Sequence, residues 1–187
     1  MEMTGLEVER HHVLEIAILV TDGELNELDD GLEIVVHQPE SVLALMDEWC
    51  VKQHGKSGLT AAVGASPTGL AEATELALAY LKKHSAAGQS LLCGNSVGHD
   101  RRFLDRWMPA VSKHLHYRII DVSSVKELAK RWYPDTKRFP KSEGHRALDD
   151  IRESIAELRY YREQVFRPPL PDQAAAAGAE APSGEAG

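Results

Sequence analysis

The apolar positions of the chain fall into two rhythms. Val13 to Val20, VLEIAILV, is nearly continuous and predicts a strand covered on both faces. Thr21-Asp22-Gly23 supplies a turn. Leu32 to His37, LEIVVH, then alternates and predicts a second strand, paired antiparallel with the first. Ser41 to Gln53 carries Leu45, Trp49 and Cys50 at helical spacing, and Gly55 and Gly58 interrupt the stretch after it. Pro67 opens a further helix, at a position where its missing N–H costs nothing. Leu70, Ala73, Leu76, Ala77 and Tyr80 then recur at intervals of three and four.

The second half alternates strand and helix. Ser90 to Cys93 is a short strand running into Gly94-Asn95-Ser96, and His99 to Trp107 a short helix stopped by Pro109. Tyr117 to Val122 is a strand, Val125 to Tyr133 a helix, and Pro134 to Gly144 a polar loop. His145 to Val165 is the last helix, with Leu148, Ile151, Ile155 and Leu158 inward. Strands separated by helices pair in parallel, whereas the opening pair is antiparallel. The expected fold class is therefore α/β, a mixed sheet flanked by helices. From Pro168 to Gly187 the chain is mostly Pro, Ala, Gly and Glu, with one Leu and no aromatic residue. Such a segment buries too little apolar surface to offset its chain entropy. The expected organisation is one domain over 1–167 and a disordered tail over 168–187.

Composition narrows the function. No run approaches the roughly 18 apolar residues of a membrane span. Cys50 and Cys93 make no disulfide framework, which favours a reducing compartment. The first residues show neither a secretory signal nor a transit peptide, so an intracellular place is expected, with no presequence in this chain. Lys plus Arg total 21 against 29 Asp plus Glu, a net charge of −8. That excludes a protein gripping long nucleic acid by charge alone, but not one holding a short fragment through metal ions.

Candidate chemistry lies where elements begin or end, the usual place in α/β folds. Asp100 follows a strand and the GNS turn. It could be a metal ligand, but taken alone it reads better as a carboxylate favoured by a helix macrodipole. His145, with Asp149-Asp150, stands where the long loop meets the last helix. A histidine there suits a general base, and paired carboxylates offer hard oxygen ligands for Mg²⁺. Asp150 aligns with Ala147, Ile151 and Ser154, and Asp149 with Arg152 and Glu153, so periodicity favours Asp150 as the inward ligand. Arg101-Arg102 reads as a solvated face that could reach a phosphate. Composition gives Glu2, Trp49, His54 and Tyr117 no special role.

Five stretches together resemble one known family. They are EMTGLE at 2–7, DEWCVKQHGKSGL at 47–59, GNSVGHDRRFL at 94–104, HYRIIDVSSVKELAKRWYP at 116–134 and HRALDDIRESIAELRYYR at 145–162. In order and spacing they resemble the oligoribonucleases, small-fragment 3′-to-5′ exonucleases of the DEDDh class, over essentially residues 1–166. The resemblance implies a ribonuclease-H-like fold, a homodimer, and cleavage of RNA dinucleotides and other very short oligonucleotides to 5′-monophosphates. It places the protein in the cytoplasm, the mitochondrion or both. By position, Glu2, Asp100 and Asp150 match acidic ligands of two divalent ions, Mg²⁺ or Mn²⁺, and His145 matches the general base. Leu6 matches a residue wedged between the two bases, and Trp49 and His54 match substrate-pocket residues. Ser96, with Tyr117, Arg118 and Ser123, matches a cap on the substrate's 5′-phosphate, the last three coming from the partner subunit.

One departure carries its own expectation. The family's first motif is Asp-x-Glu at the end of a central first strand, and here Met1 stands at the middle position. The 187 residues therefore hold neither that aspartate nor the strand leading into it. The strand's neighbours are expected to keep unpaired backbone groups, each costing about 1–3 kcal/mol when buried. The expectation is a weakened sheet and strongly reduced turnover. The alternative to an active exoribonuclease is a catalytically impaired member that dimerises or binds oligonucleotides.

Overall fold

The structure, a computed structural model, describes residues 1–140 and 147–167. His145 and the tail over 168–187 lie outside the described residues. The chain opens with three antiparallel strands, β1 (Glu2–Met3), β2 (Val13–Ile18) and β3 (Leu32–Val35), in spatial order β1-β2-β3. Glu2 stands opposite Glu15, and Ile16 opposite Ile34. Helices α1 (Glu40–Leu43), α2 (Glu48–Lys56), α3 (Leu59–Ala65) and α4 (Leu70–His84) come next. Then come β4 (Leu92–Gly94), α5 (Gly98–Trp107), α6 (Pro109–His114), β5 (Ile119–Asp121), α7 (Val122–Trp132) and α8 (Ala147–Val165). β4 and β5 pair in parallel, with Leu92 beside Ile119.

The near-continuous apolar run of β2 is covered on both sides, as expected. Val13 and Ile16 join Ile34 and Val36 in the main core, against Ala73, Ala77 and Leu81 of α4 and Phe103 and Leu104 of α5. Leu14, wholly buried, turns to the other face and meets Leu59 and Val63 of α3. The α/β class stands: a small mixed set of strands flanked by helices.

The local chemistry redraws several expected boundaries. The helix expected over 41–53 is two helices, because Asp47 starts a new one. Its carboxylate accepts the Cys50 N–H at 2.7 Å, satisfying a donor that the first turn leaves open. Gly55 sits inside α2, whereas Gly58, at φ +80°, precedes α3, a helix that the apolar spacing does not show. Pro109 begins a helix as well as ending one. On α4 the buried row is Ala73, Ala77 and Leu81; Leu76, expected inward, is 44% exposed. On α8 the most buried side chain is a charged one, Glu157, held by Lys126 at 3.6 Å and Asn95 at 3.1 Å. Leu148, Ile151, Ile155 and Leu158 are only half-buried.

The expected single sheet is divided. Among the described residues no ladder joins β4–β5 to β1–β2–β3. β1 offers only two residues to any neighbour, and side chains bridge the break instead. Met1 and Leu92 both pack on the main core, and α8 touches β2 as well as β4. Parallel strands are ordinarily buried on both faces. Here Ile119 and Ile120 stay about two-fifths exposed.

Candidate active site

A cavity of about 440 Å³ opens between the β1–β2–β3 sheet, α2, α3 and the start of α8. Glu2, Glu15 and Asp150 bring three carboxylates to its lining, beside Trp49 and His54. The sequence spreads these residues over more than a hundred positions, and three local devices unite them. The antiparallel register sets Glu2 directly opposite Glu15. The Asp47 cap fixes where α2 begins, and so which way Trp49 and His54 point. The turn of α8 puts Asp150 half-buried on the cavity side while Asp149 is exposed.

His54 ties the strand to the helix. It is 3% exposed, and its Nε2 donates to the Met3 carbonyl at 3.0 Å. Its Nδ1 lies 3.9 Å from a Glu2 carboxylate oxygen. Trp49, one turn earlier, is 69% exposed and forms an aromatic rim. The neighbouring Cys50 is buried, and that burial pushes its thiol up to about 11, so it stays protonated and unreactive at neutral pH. The Asp47 carboxyl is held below the usual carboxylate range, first by the Cys50 N–H.

Asp100 lies in the first turn of α5 with its carboxylate 3.3 Å from the Met1 amino nitrogen, and it does not line the cavity. Among the described residues no three His, Cys, Asp or Glu side chains stand close enough together to hold a metal ion. The expected ligands Glu2, Asp100 and Asp150 are all carboxylates, the kind of donor that suits Mg²⁺ or Mn²⁺ rather than Zn²⁺, but Asp100 stands apart from the cavity that the other two line.

The remaining expected residues form two groups. Leu6, 59% exposed, is near the head of the turn that links β1 to β2. Ser96 and Ser123 meet within the one chain, hydroxyl to hydroxyl at 3.3 Å, and the Ser96 N–H donates to Asp121 at 3.0 Å. Ser96 holds φ at +53°, which presents its backbone N–H to that cluster. Tyr117 is 72% exposed, with His116 stacked on one side at 4.5 Å and Arg118 over its ring at 5.3 Å. Glu15 is a lining residue that sequence reasoning missed. Its signal is a lone acid in an apolar strand, and the fold leaves it only 7% exposed.

Three carboxylates lining one cleft of an α/β domain are oxygen donors of the kind that metal-assisted phosphoryl hydrolysis uses. The exonuclease family described as RNase_T matches residues 1–158. The oligoribonuclease of Vibrio cholerae is 54% identical over 168 residues, covering 89% of this chain and 93% of its own. That of Shewanella loihica is 55% identical over the same length, again covering 89% and 93%. The mitochondrial oligoribonuclease of Homo sapiens is 48% identical over 169 residues, covering 89% and 71%. The chain belongs to this exonuclease family, on its oligoribonuclease branch. Its enzyme class is accordingly 3′-to-5′ exoribonuclease.

Proposed function

We propose that the protein degrades very short RNA fragments, dinucleotides above all, to 5′-monophosphates. The observation that carries this is the meeting of Glu2 and Asp150 in one cavity beside Trp49 and His54. Its volume falls within the roughly 300–1,000 Å³ of small-ligand sites, a scale that favours one or two nucleotides over a long polymer. Trp49 offers a stacking surface for a base, and Leu6 an apolar edge to set between two. Few phosphates held means little counterion release, so a chain of net charge −8 is compatible with the substrate.

Glu2, Asp100 and Asp150 would hold two divalent ions, Mg²⁺ or Mn²⁺. When bound, such ions supply an acidified water and stabilise the leaving 3′-oxygen. His145 would accept the water's proton. His54 keeps the strand bearing Glu2 against α2. Ser96, Tyr117, Arg118 and Ser123 would close over the 5′-phosphate. Ser123 already stands beside Ser96 in the same chain, against the expectation that it comes from the partner, so only Tyr117 and Arg118 would be donated across a homodimer. A capped 5′ end limits substrate length, because a longer fragment has nowhere to extend. The mitochondrial names of some relatives and the bacterial origin of others support an intracellular site of action. No helix among the described residues is long and apolar enough to cross a membrane.

A second reading, oligonucleotide binding with little turnover, draws on Asp100. Its carboxylate stands apart from the cavity that Glu2 and Asp150 line. The deciding experiment is hydrolysis of a 5′-phosphorylated RNA dinucleotide with Mn²⁺, comparing the 187-residue chain with His145→Ala and Asp150→Asn. Turnover lost in both variants supports the exonuclease reading. Tight binding with no turnover in the parent chain supports the second.

A further inference from the structure

The turn that carries Leu6 is locked from below by one histidine. Its first support is the Thr4 pairing: Thr4 N–H donates to the His12 carbonyl at 3.0 Å, and Thr4 Oγ1 accepts the His12 N–H at 3.0 Å. Within that frame His11, only 8% exposed, turns its ring under the turn. Its Nδ1 accepts the Glu7 N–H at 3.0 Å, while its backbone N–H donates to the Glu7 carbonyl at 2.8 Å. The ring lies so close to Gly5 that a Cβ there would come within 2.4 Å of Cε1 and 2.6 Å of Nδ1. Gly5, at φ +155°, leaves that space for the imidazole. Leu6 sits between these two held positions, with its side chain in solvent.

The ring also neighbours the other wall of the site. It lies within electrostatic reach of Asp47, the residue that caps α2 and so orients Trp49 and His54. One side chain thus touches the turn bearing Leu6 and lies near the start of the helix bearing Trp49.

We infer that His11 is a positioning residue that sets Leu6 against the bases of a dinucleotide by accepting the Glu7 N–H and filling the space under Gly5. This rests on the exonuclease reading above and adds a residue to it. His11 is not among the residues lining the cavity, so its effect belongs in substrate placement. A substrate with a single base does not need that placement.

The test compares His11→Phe, which keeps a ring but removes the acceptor, with His11→Asn, which can keep an acceptor near the same place. Three readouts are taken: KM and kcat on a 5′-phosphorylated RNA dinucleotide, the same constants on an aryl ester of one nucleotide, and hydrogen exchange of the Glu7 amide. Losing one hydrogen bond of ordinary strength predicts a roughly 5- to 10-fold rise in dinucleotide KM for His11→Phe. Its kcat and the aryl-ester constants stay near wild type, and Glu7 exchange becomes fast. His11→Asn moves both readouts back toward wild type. An unchanged dinucleotide KM and slow Glu7 exchange in His11→Phe would overturn the inference. So would an equal loss on both substrates, which marks general damage to the fold. A parent chain inert toward both substrates refutes the exonuclease reading itself. Dinucleotide Kd then replaces KM, and the inference stands or falls by whether His11→Phe weakens it together with the Glu7 amide.

Discussion

Replacing His54 with alanine isolates the link between the strand carrying Glu2 and the helix carrying Trp49. In the parent chain the imidazole is 3% exposed and donates to the Met3 carbonyl at 3.0 Å. Met3 itself is 9% exposed, so water does not readily replace the lost donor. An orphaned buried carbonyl costs about 1–3 kcal/mol. The space left by the ring adds a packing loss of about 1 kcal/mol after partial collapse. The sum, about 2–4 kcal/mol, is a large part of the roughly 5–15 kcal/mol that holds an ordinary domain together. At about 2–4 °C per kcal/mol for a chain of this size, the thermal midpoint falls by roughly 4–16 °C. His54→Gln, whose amide can donate to the same carbonyl, should recover about half of that. The assay is thermal and urea unfolding followed by circular dichroism, run alongside dinucleotide hydrolysis. A His54→Ala midpoint within about 1 °C of the parent would refute the reasoning. It would mean that the hydrogen bond is replaced by solvent and that β1 is held from elsewhere.

Other consequences concern the cavity rim, the core and one hydrogen-bonded carboxylate. Trp49→Ala, at a site 69% exposed, should move stability by no more than about 0.5 kcal/mol yet raise dinucleotide KM roughly 10-fold, read by unfolding and by initial rates. Phe103→Ala, 1% exposed in the main core, should cost about 3–5 kcal/mol in urea unfolding whatever its effect on rate. Asp29 accepts from the Tyr80 hydroxyl at 2.6 Å, Gly31 N–H at 2.9 Å and His84 at 2.9 Å, and the Tyr80 bond above all holds its carboxyl well below the usual range. A depressed folded value means that Asp29 stabilises above the unfolded value near pH 4. That contribution fades as pH falls toward the folded value, so Asp29→Asn should flatten the acid limb of a stability-versus-pH curve.

Local patterning makes several features legible in the sequence alone. The apolar run of β2, the antiparallel opening pair and the parallel later pair all follow from side-chain period and connection length. The α8 phase likewise separates half-buried Asp150 from exposed Asp149. The family resemblance draws Glu2 and Leu6 out of a stretch that composition would pass over, and the family matches agree with that resemblance.

Other features are decided by what meets across the fold. No local period says that Glu15 faces Glu2, because register is a property of two strands together. Leu76 and Leu81 lie about 140° apart around α4, and it is the Ala73–Ala77–Leu81 row that packs into the main core, which leaves Leu76 exposed. Asp47 divides one apolar stretch into two helices through a hydrogen bond three residues away, which hydrophobic spacing does not register. The break between β1 and β4 depends on how few residues β1 offers to a ladder. By sequence His11 is one more polar residue in a polar turn. Only the closing of that turn reveals an imidazole buried beneath a glycine, where a backbone without a side chain lets a ring come close enough to hold it.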